Sequence, residues 1–306
     1  MDGILVIDKP KSYTSFDVVA VIRKLSGEKK VGHTGTLDPM ATGVLPVLVG
    51  KATRCAPFID DTDKEYEASF KLGFATDTQD VTGSVVSKTS RKVTREEIEA
   101  VLPQFRGEIL QLPPMYSAVQ VDGKRLYSLA RRGIEVEREK RPVTVYQCDL
   151  LEFDEETQEG RFLIMCSKGT YVRTLCSDIG QALGSLGVLT GLRRTVACGF
   201  GLQYAVPLEK IREHVENGGS VADYLLHTEA VFSDIPKVEI TESQKTRFCN
   251  GGALSLPRTK IPKTSWMEGQ TYRVISPSEE FLGLGIISLK TEELKILRLF
   301  HGENDT

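Results

Sequence analysis

The residues best placed to do chemistry lie in one run, Gly32-His33-Thr34-Gly35-Thr36-Leu37-Asp38-Pro39-Met40-Ala41-Thr42-Gly43. Glycines at 32, 35 and 43 permit sharp turns and let a ligand approach the backbone closely. Asp38 precedes Pro39, which biases it towards an extended backbone, and a carboxylate on such a loop can point into a cleft. Spacing alone leaves two readings open, because Asp-Pro is also a common turn starter. The run is not a phosphate-cradling P-loop, since no Gly-Lys-[Ser/Thr] follows at the required distance, nor is it a dinucleotide fingerprint.

Several elements must hold this loop. Ile4–Ile7 reads as a strand and Pro10-Lys11-Ser12-Tyr13 as a turn. Ser15 is a plausible N-cap for a helix carrying Val18, Val19, Val21, Ile22 and Leu25, which Gly27 ends. The apolar run Val44–Val49 follows the loop. Glu65 to Leu72 alternates, with Tyr66, Ala68, Phe70 and Leu72 on one face, which predicts a half-buried strand. Thr94-Arg95-Glu96-Glu97 has the capping-box pattern ahead of Ile98, Val101 and Leu102, with Pro103 as the stop. Val143–Leu151 and Phe162–Cys166 read as strands joined by an acidic turn, and Tyr171–Leu183 has helical spacing. Asn217-Gly218-Gly219-Ser220 is a loop. After about Ser233 the chain turns to short β-type runs, Lys237–Ile240, Thr271–Ile275, Gly283–Leu289 and Leu294–Phe300, which suggest a small appended barrel. Strands and helices without strict alternation point to an α+β fold rather than a doubly wound sheet.

Composition narrows the function classes. With 306 residues, 40% hydrophobic and 26% charged, the chain fits a globular protein of roughly two domains. No apolar run is long enough to span a membrane. The N-terminus lacks the basic and long apolar regions of a signal peptide, so a cytoplasmic location is expected. The six cysteines form no Cys-x-x-Cys pair and the four histidines are dispersed, so neither a disulfide framework nor a metal site is expected. Net charge is −3, but residues 124–141 carry seven Lys/Arg against three acids, which permits a polyanion partner.

Six blocks carry a resemblance. Gly3-Ile4-Leu5-Val6-Ile7-Asp8-Lys9-Pro10 comes first, then the Asp38 run, then Lys64-Glu65-Tyr66-Glu67-Ala68. Leu112-Pro113-Pro114-Met115-Tyr116-Ser117-Ala118-Val119-Gln120 and Gly123-Lys124-Arg125-Leu126-Tyr127 form a central block. Ser167-Lys168-Gly169-Thr170-Tyr171-Val172-Arg173-Thr174-Leu175 and Leu192-Arg193-Arg194-Thr195 follow. In this order, over roughly residues 3–200, the chain resembles the TruB family of tRNA pseudouridine synthases; Gln120 stands where that family often has Lys.

The resemblance implies a pseudouridine synthase fold: a central mixed, mainly antiparallel sheet flanked by helices, with a small C-terminal PUA-like β-barrel. The boundaries expected are a catalytic domain over 1–232, with an RNA-clasping lobe at about 120–142, and an RNA-binding domain over 233–306. It implies isomerisation of uridine-55 in the TΨC loop of tRNA by a monomer without cofactor, metal or obligatory protein partner. Asp38 would be the essential carboxylate, attacking the sugar C1′ or taking a ribose proton. Arg173 would pair with Asp38 and keep it ionised; read from the helix alone, it is a surface or rim arginine. Tyr66 would stack on the extruded uracil, where alternation alone favours core packing. His33 would fill the space the base vacates, although an isolated loop histidine is usually just solvated. Tyr171 and Leu192 would wall and cap the pocket, or be plain core. Lys124, Arg125, Arg131 and Arg132 would meet phosphates, against the plainer reading of a solvated charged hairpin or helix.

Two further readings belong beside this one: an RNA-folding chaperone of the same fold, and a guide-RNA-dependent subunit that modifies ribosomal RNA. The short N-terminus favours the stand-alone bacterial type. A P-loop-like hydrolase is disfavoured by the missing lysine.

Overall fold

The computed structural model describes residues 1–300 apart from 60, 61, 118, 122 and 131, and the side chains of 121, 124 and 125 lie outside the description as well. The first half of the chain contributes β1 (Gly3–Lys9), α1 (Ser15–Ser26), β2 (Val31–His33), β3 (Thr42–Val49), α2 (Ala56–Ile59) and β4 (Lys64–Leu72). A ribbon of β5 (Phe74–Thr76) and β6 (Val85–Lys88) follows, then α3 (Arg95–Val101) and β7 (Gly107–Gln111). Next come a small ladder of β8 (Gln120–Val121) and β9 (Lys124–Arg125), α4 (Leu126–Ala130), β10 (Arg141–Asp154) and β11 (Glu159–Cys166). The central region closes with α5 (Val172–Ala182), β12 (Gly187–Ala197), β13 (Phe200–Gly201), β14 (Val206–Pro207) and α6 (Leu208–Glu216).

One ten-stranded sheet runs β14-β1-β3-β12-β4-β11-β10-β7, with β13 on β12 and β2 on β3. Most pairs are antiparallel, while β1 with β14 and β3 with β12 are parallel, so the sheet is mixed as expected. β1 is buried on both faces. Leu5 and Ile7 join the larger core with Val18, Val19 and Ile22 of α1, and Ile4 and Val6 join a second cluster behind the sheet. β4 shows the predicted alternation: Tyr66, Ala68, Phe70 and Leu72 all lie in the larger core.

The residues after 233 supply β15 (Lys237–Glu239), α7 (Glu242–Cys249), β16 (Leu254–Ser255), β17 (Thr271–Ile275), β18 (Phe281–Ser288) and β19 (Glu293–Leu299). The small β unit expected there is a five-stranded sheet ordered β15-β17-β18-β19-β16. Leu284, Phe281 and Phe300 pack into the same cluster as Ile4, Val6, Val44 and Leu48, so this unit sits against the back of β1 and β3.

One local expectation changes. Thr14, not Ser15, caps α1: its hydroxyl accepts from the Asp17 amide, and the Asp17 carboxylate accepts from the Thr14 amide at 2.8 Å. Thr14-x-x-Asp17 is the reciprocal spacing of a capping box, in which the first-turn acid also favours the helix dipole. Ser15 is thereby freed for a different bond. No helix among the described residues is long and apolar enough to cross a membrane.

Candidate active site

Asp38 rides on the connection between β2 and β3, which is fastened at both flanks. The Ser15 hydroxyl accepts from the Leu37 amide at 2.9 Å and donates to the Leu37 carbonyl at 3.3 Å. The Ser12 amide donates to the Pro39 carbonyl at 2.8 Å, and the Ala41 amide to the Asp38 carbonyl at 3.0 Å. Leu37, Met40 and Ala41 are buried anchors, while the Asp38 side chain keeps 43% of its surface accessible. The loop is therefore fixed and its carboxylate is open to a substrate.

Two glycines explain how the loop can lie against β12. Gly35 has φ +62°, and a Cβ there would come 3.1 Å from Arg194 Nη1. Gly43 has φ +100°, and its Cβ would meet the Arg194 carbonyl at 2.2 Å, closer than any side chain allows.

Arg173 stands at the start of α5, where it is buried to 6% exposure, and its guanidinium makes three contacts. Nη2 lies 3.4 Å from Asp38 Oδ2, Nη1 lies 3.7 Å from Asp80 Oδ2, and Nη2 donates to the Tyr116 carbonyl. The buried guanidinium thus stands between two carboxylates and faces both. Asp80, itself buried, is held by the Thr78 hydroxyl at 2.8 Å and by the Thr82 amide at 2.9 Å. The run Thr76-Asp77-Thr78-Gln79-Asp80 escaped sequence reasoning; its density of hydroxyls, carboxylates and an amide was the available signal.

Tyr66 is buried on β4, directly opposite Arg194 of β12 in the strand register. Burial pushes its phenol above the ordinary value, and the Arg194 cation beside it pulls the other way. Arg194 is completely buried, and its Nε donates to the Val44 carbonyl at 2.7 Å. Lys9 is another enclosed cation missed from sequence. Its Nζ donates to the carbonyls of Tyr13 at 2.6 Å and Pro10 at 3.0 Å, and reaches that of Pro39 at 3.5 Å. Burial lowers it to about 8, with the Asp38 charge opposing that fall. Asp38 thus has Arg173 in direct contact, and its charge is also felt at Lys9 and Tyr66.

The remaining sequence candidates divide. Tyr171 caps α5, its backbone clasped by Gln111 through two bonds of 2.7 and 3.1 Å, and its ring lies 5.8 Å from the Arg173 guanidinium carbon. Leu192 is half-buried and packs on the larger core. His33 ends β2, and its ring meets Phe16 edge-to-face at 5.2 Å. Arg132 is exposed, and Arg131 lies outside the described residues. Lys124 and Arg125 are described through their backbone only, as the ladder partners of Val121 and Gln120.

Residues 23–172 match the model of the TruB family pseudouridylate synthase N-terminal domain. A tRNA pseudouridine synthase B from Geobacillus thermodenitrificans is 47% identical over 263 residues, covering 84% of this chain and 87% of the relative. Its namesake from Clostridium acetobutylicum is 40% identical over 301 residues, covering 98% and 99%. Among solved structures, a chain of a Cbf5-Nop10-Gar1 complex superposes with a TM-score of 0.75 at 27% identity, covering 98% of this chain and 85% of that one. With two-fifths or more of its residues shared across nearly its whole length, this chain belongs to the TruB family of pseudouridylate synthases.

Proposed function

We propose that this protein isomerises uridine-55 of the TΨC loop of tRNA to pseudouridine, acting as a monomer with no cofactor and no obligatory protein partner. The observation that carries the reading is the fixed, accessible Asp38 carboxylate 3.4 Å from the buried Arg173 guanidinium, within the same electrostatic cluster as Tyr66.

The reaction needs little machinery. The C1′–N1 bond of the uridine breaks, the uracil turns, and a C1′–C5 bond forms. N1 gains a proton and C5 loses one, so the product is an isomer of the substrate. Positive charge builds on the sugar as the first bond breaks, and an adjacent carboxylate stabilises it. Asp38 supplies that carboxylate, either bonding to C1′ or taking a ribose proton, and Arg173, 3.4 Å away, holds it aimed. Tyr66 packs against the extruded uracil as a neutral phenol, its hydroxyl near C5, where a proton must finally leave. His33 occupies the place of the extruded base, because a stacked nucleotide must leave its helix before C1′ can be reached. Tyr171 and Leu192 line the rim. The 124–141 lobe holds the RNA arm through phosphates, and the C-terminal unit, 233–306, contacts the acceptor-stem side of the tRNA.

The test is tritium release from 5-[³H]-uridine in a bare TΨC stem-loop, with no guide RNA or added protein. Wild-type protein releases the label, and Asp38→Asn binds the RNA but releases none. Full activity of Asp38→Asn refutes the site. A requirement for a guide RNA moves the protein to the ribosomal-RNA class.

A further inference from the structure

Phe16 is the most exposed large hydrophobic side chain among the described residues, at 69%. It sits in the first turn of α1, off the face that buries Ser15, Val18, Val19 and Ile22, so it plays no part in the core. Its ring meets that of His33 at 5.2 Å with the planes at 84°. Rings so arranged form a corner: one ring's edge and one face of the other are spent on the contact, and the faces left free stand at right angles. The preceding residue, Ser15, is the one that fastens the Asp38 loop through Leu37, so the corner is rigidly tied to the reacting centre.

We infer that Phe16 is a second stacking platform, on which a nucleobase next to the extruded uridine rests while His33 fills the vacated space. This rests on the tRNA reading above. A flat aromatic face held in water beside an RNA site is what single-stranded and unstacked bases use, and such stacking tolerates any base because each has a π face. A base displaced from its neighbour by extrusion loses a stacking partner, and Phe16 supplies a new one.

The test uses a synthetic TΨC stem-loop and the full chain. Phe16→Ala should weaken the Kd of the catalytically silent Asp38→Asn protein about tenfold, or about 1.4 kcal/mol. In otherwise wild-type protein it should raise KM similarly while kcat stays within about threefold. Phe16→Trp should restore both, and its indole emission should be quenched on adding RNA, measured against the single native Trp266. Phe16→Leu, apolar but without a flat face, should bind like Phe16→Ala. A ring that merely buttresses His33 predicts instead a fall in kcat at unchanged Kd, and no quenching. Unchanged Kd in Phe16→Ala, or full rescue by Phe16→Leu, overturns the inference. If wild-type protein turns over no stem-loop at all, it is the tRNA reading that fails.

Discussion

Arg173→Gln removes the cation that faces both Asp38 and Asp80, and its consequences can be worked from two distances. At 3.4 Å a unit charge pair is worth about 1 kcal/mol in a water-like dielectric and about 5 kcal/mol at an effective dielectric of about 20. Asp38 is 43% accessible, which puts the free protein near the lower figure. Bound RNA excludes water and moves the pair upward, so the loss is concentrated in the step where charge develops. About 3 kcal/mol at that step is on the order of a hundredfold in kcat. The second distance, 3.7 Å to Asp80, adds a stability effect. Asp80 is buried, and removing its cation leaves a lone carboxylate, a change that typically costs 3–5 kcal/mol. The double variant Arg173→Gln/Asp80→Asn should therefore regain the denaturation midpoint without regaining turnover. Single-turnover tritium release, beside urea melts of each variant, separates the two effects. A folded Arg173→Gln protein with kcat within about threefold of wild type would refute the electrostatic role.

Other outcomes follow from the same geometry. Ser15→Ala should cost about 1–2 kcal/mol of stability through its two lost bonds to Leu37, and lower kcat with the stem-loop Kd unchanged. Lys9 holds its proton more weakly folded, at about 8, than unfolded, at 10.5. Between these values the unfolded chain binds more protons, so the stability contributed by this group rises with pH there. The wild-type minus Lys9→Met difference in unfolding free energy should therefore grow across that window, by on the order of 3 kcal/mol, and a flat difference would show that Lys9 is not perturbed. If the 124–141 lobe meets phosphates, Arg132→Gln should reduce the salt dependence of RNA affinity by about one unit of slope, and an identical slope removes Arg132 from the interface.

The elements legible in the sequence were those whose signal is periodic or local. The two-residue alternation from Glu65 to Leu72 and the capping box at Thr94 both depend on neighbours a few positions apart, and both stand in the fold. The cap of α1 was misplaced by one residue because Thr14 and Ser15 are adjacent hydroxyls; only the Asp17 partner three positions on tells them apart. β7 and α7 gave no usable signal, since β7 is largely exposed and α7 buries only Phe248. In the site, Asp38 was marked by its glycines and by resemblance. Three buried charges carried no assigned role: Lys9 and Arg194 sit inside the quoted blocks and Asp80 outside them, and each is an ordinary polar letter until distant strands enclose it. Asp80 reaches Arg173 across more than ninety residues, through a bridge to Leu189 that no local pattern specifies.

The position of β12 has a consequence for how the protein is made. The strand bearing Tyr66 pairs with β12 at nine positions, while β3, which follows the Asp38 loop, pairs with it at only two, Arg193 with Thr42 and Arg194 with Gly43. β12 is thus the seam between the two halves of the reacting centre, and it is translated after both. A nascent chain emerging from the ribosome carries Asp38, Tyr66 and Arg173 before it carries the strand that stitches them together, and that strand brings Arg194 with it. Such late, long-range pairing is slow to form, so assembly of the reacting centre waits on β12.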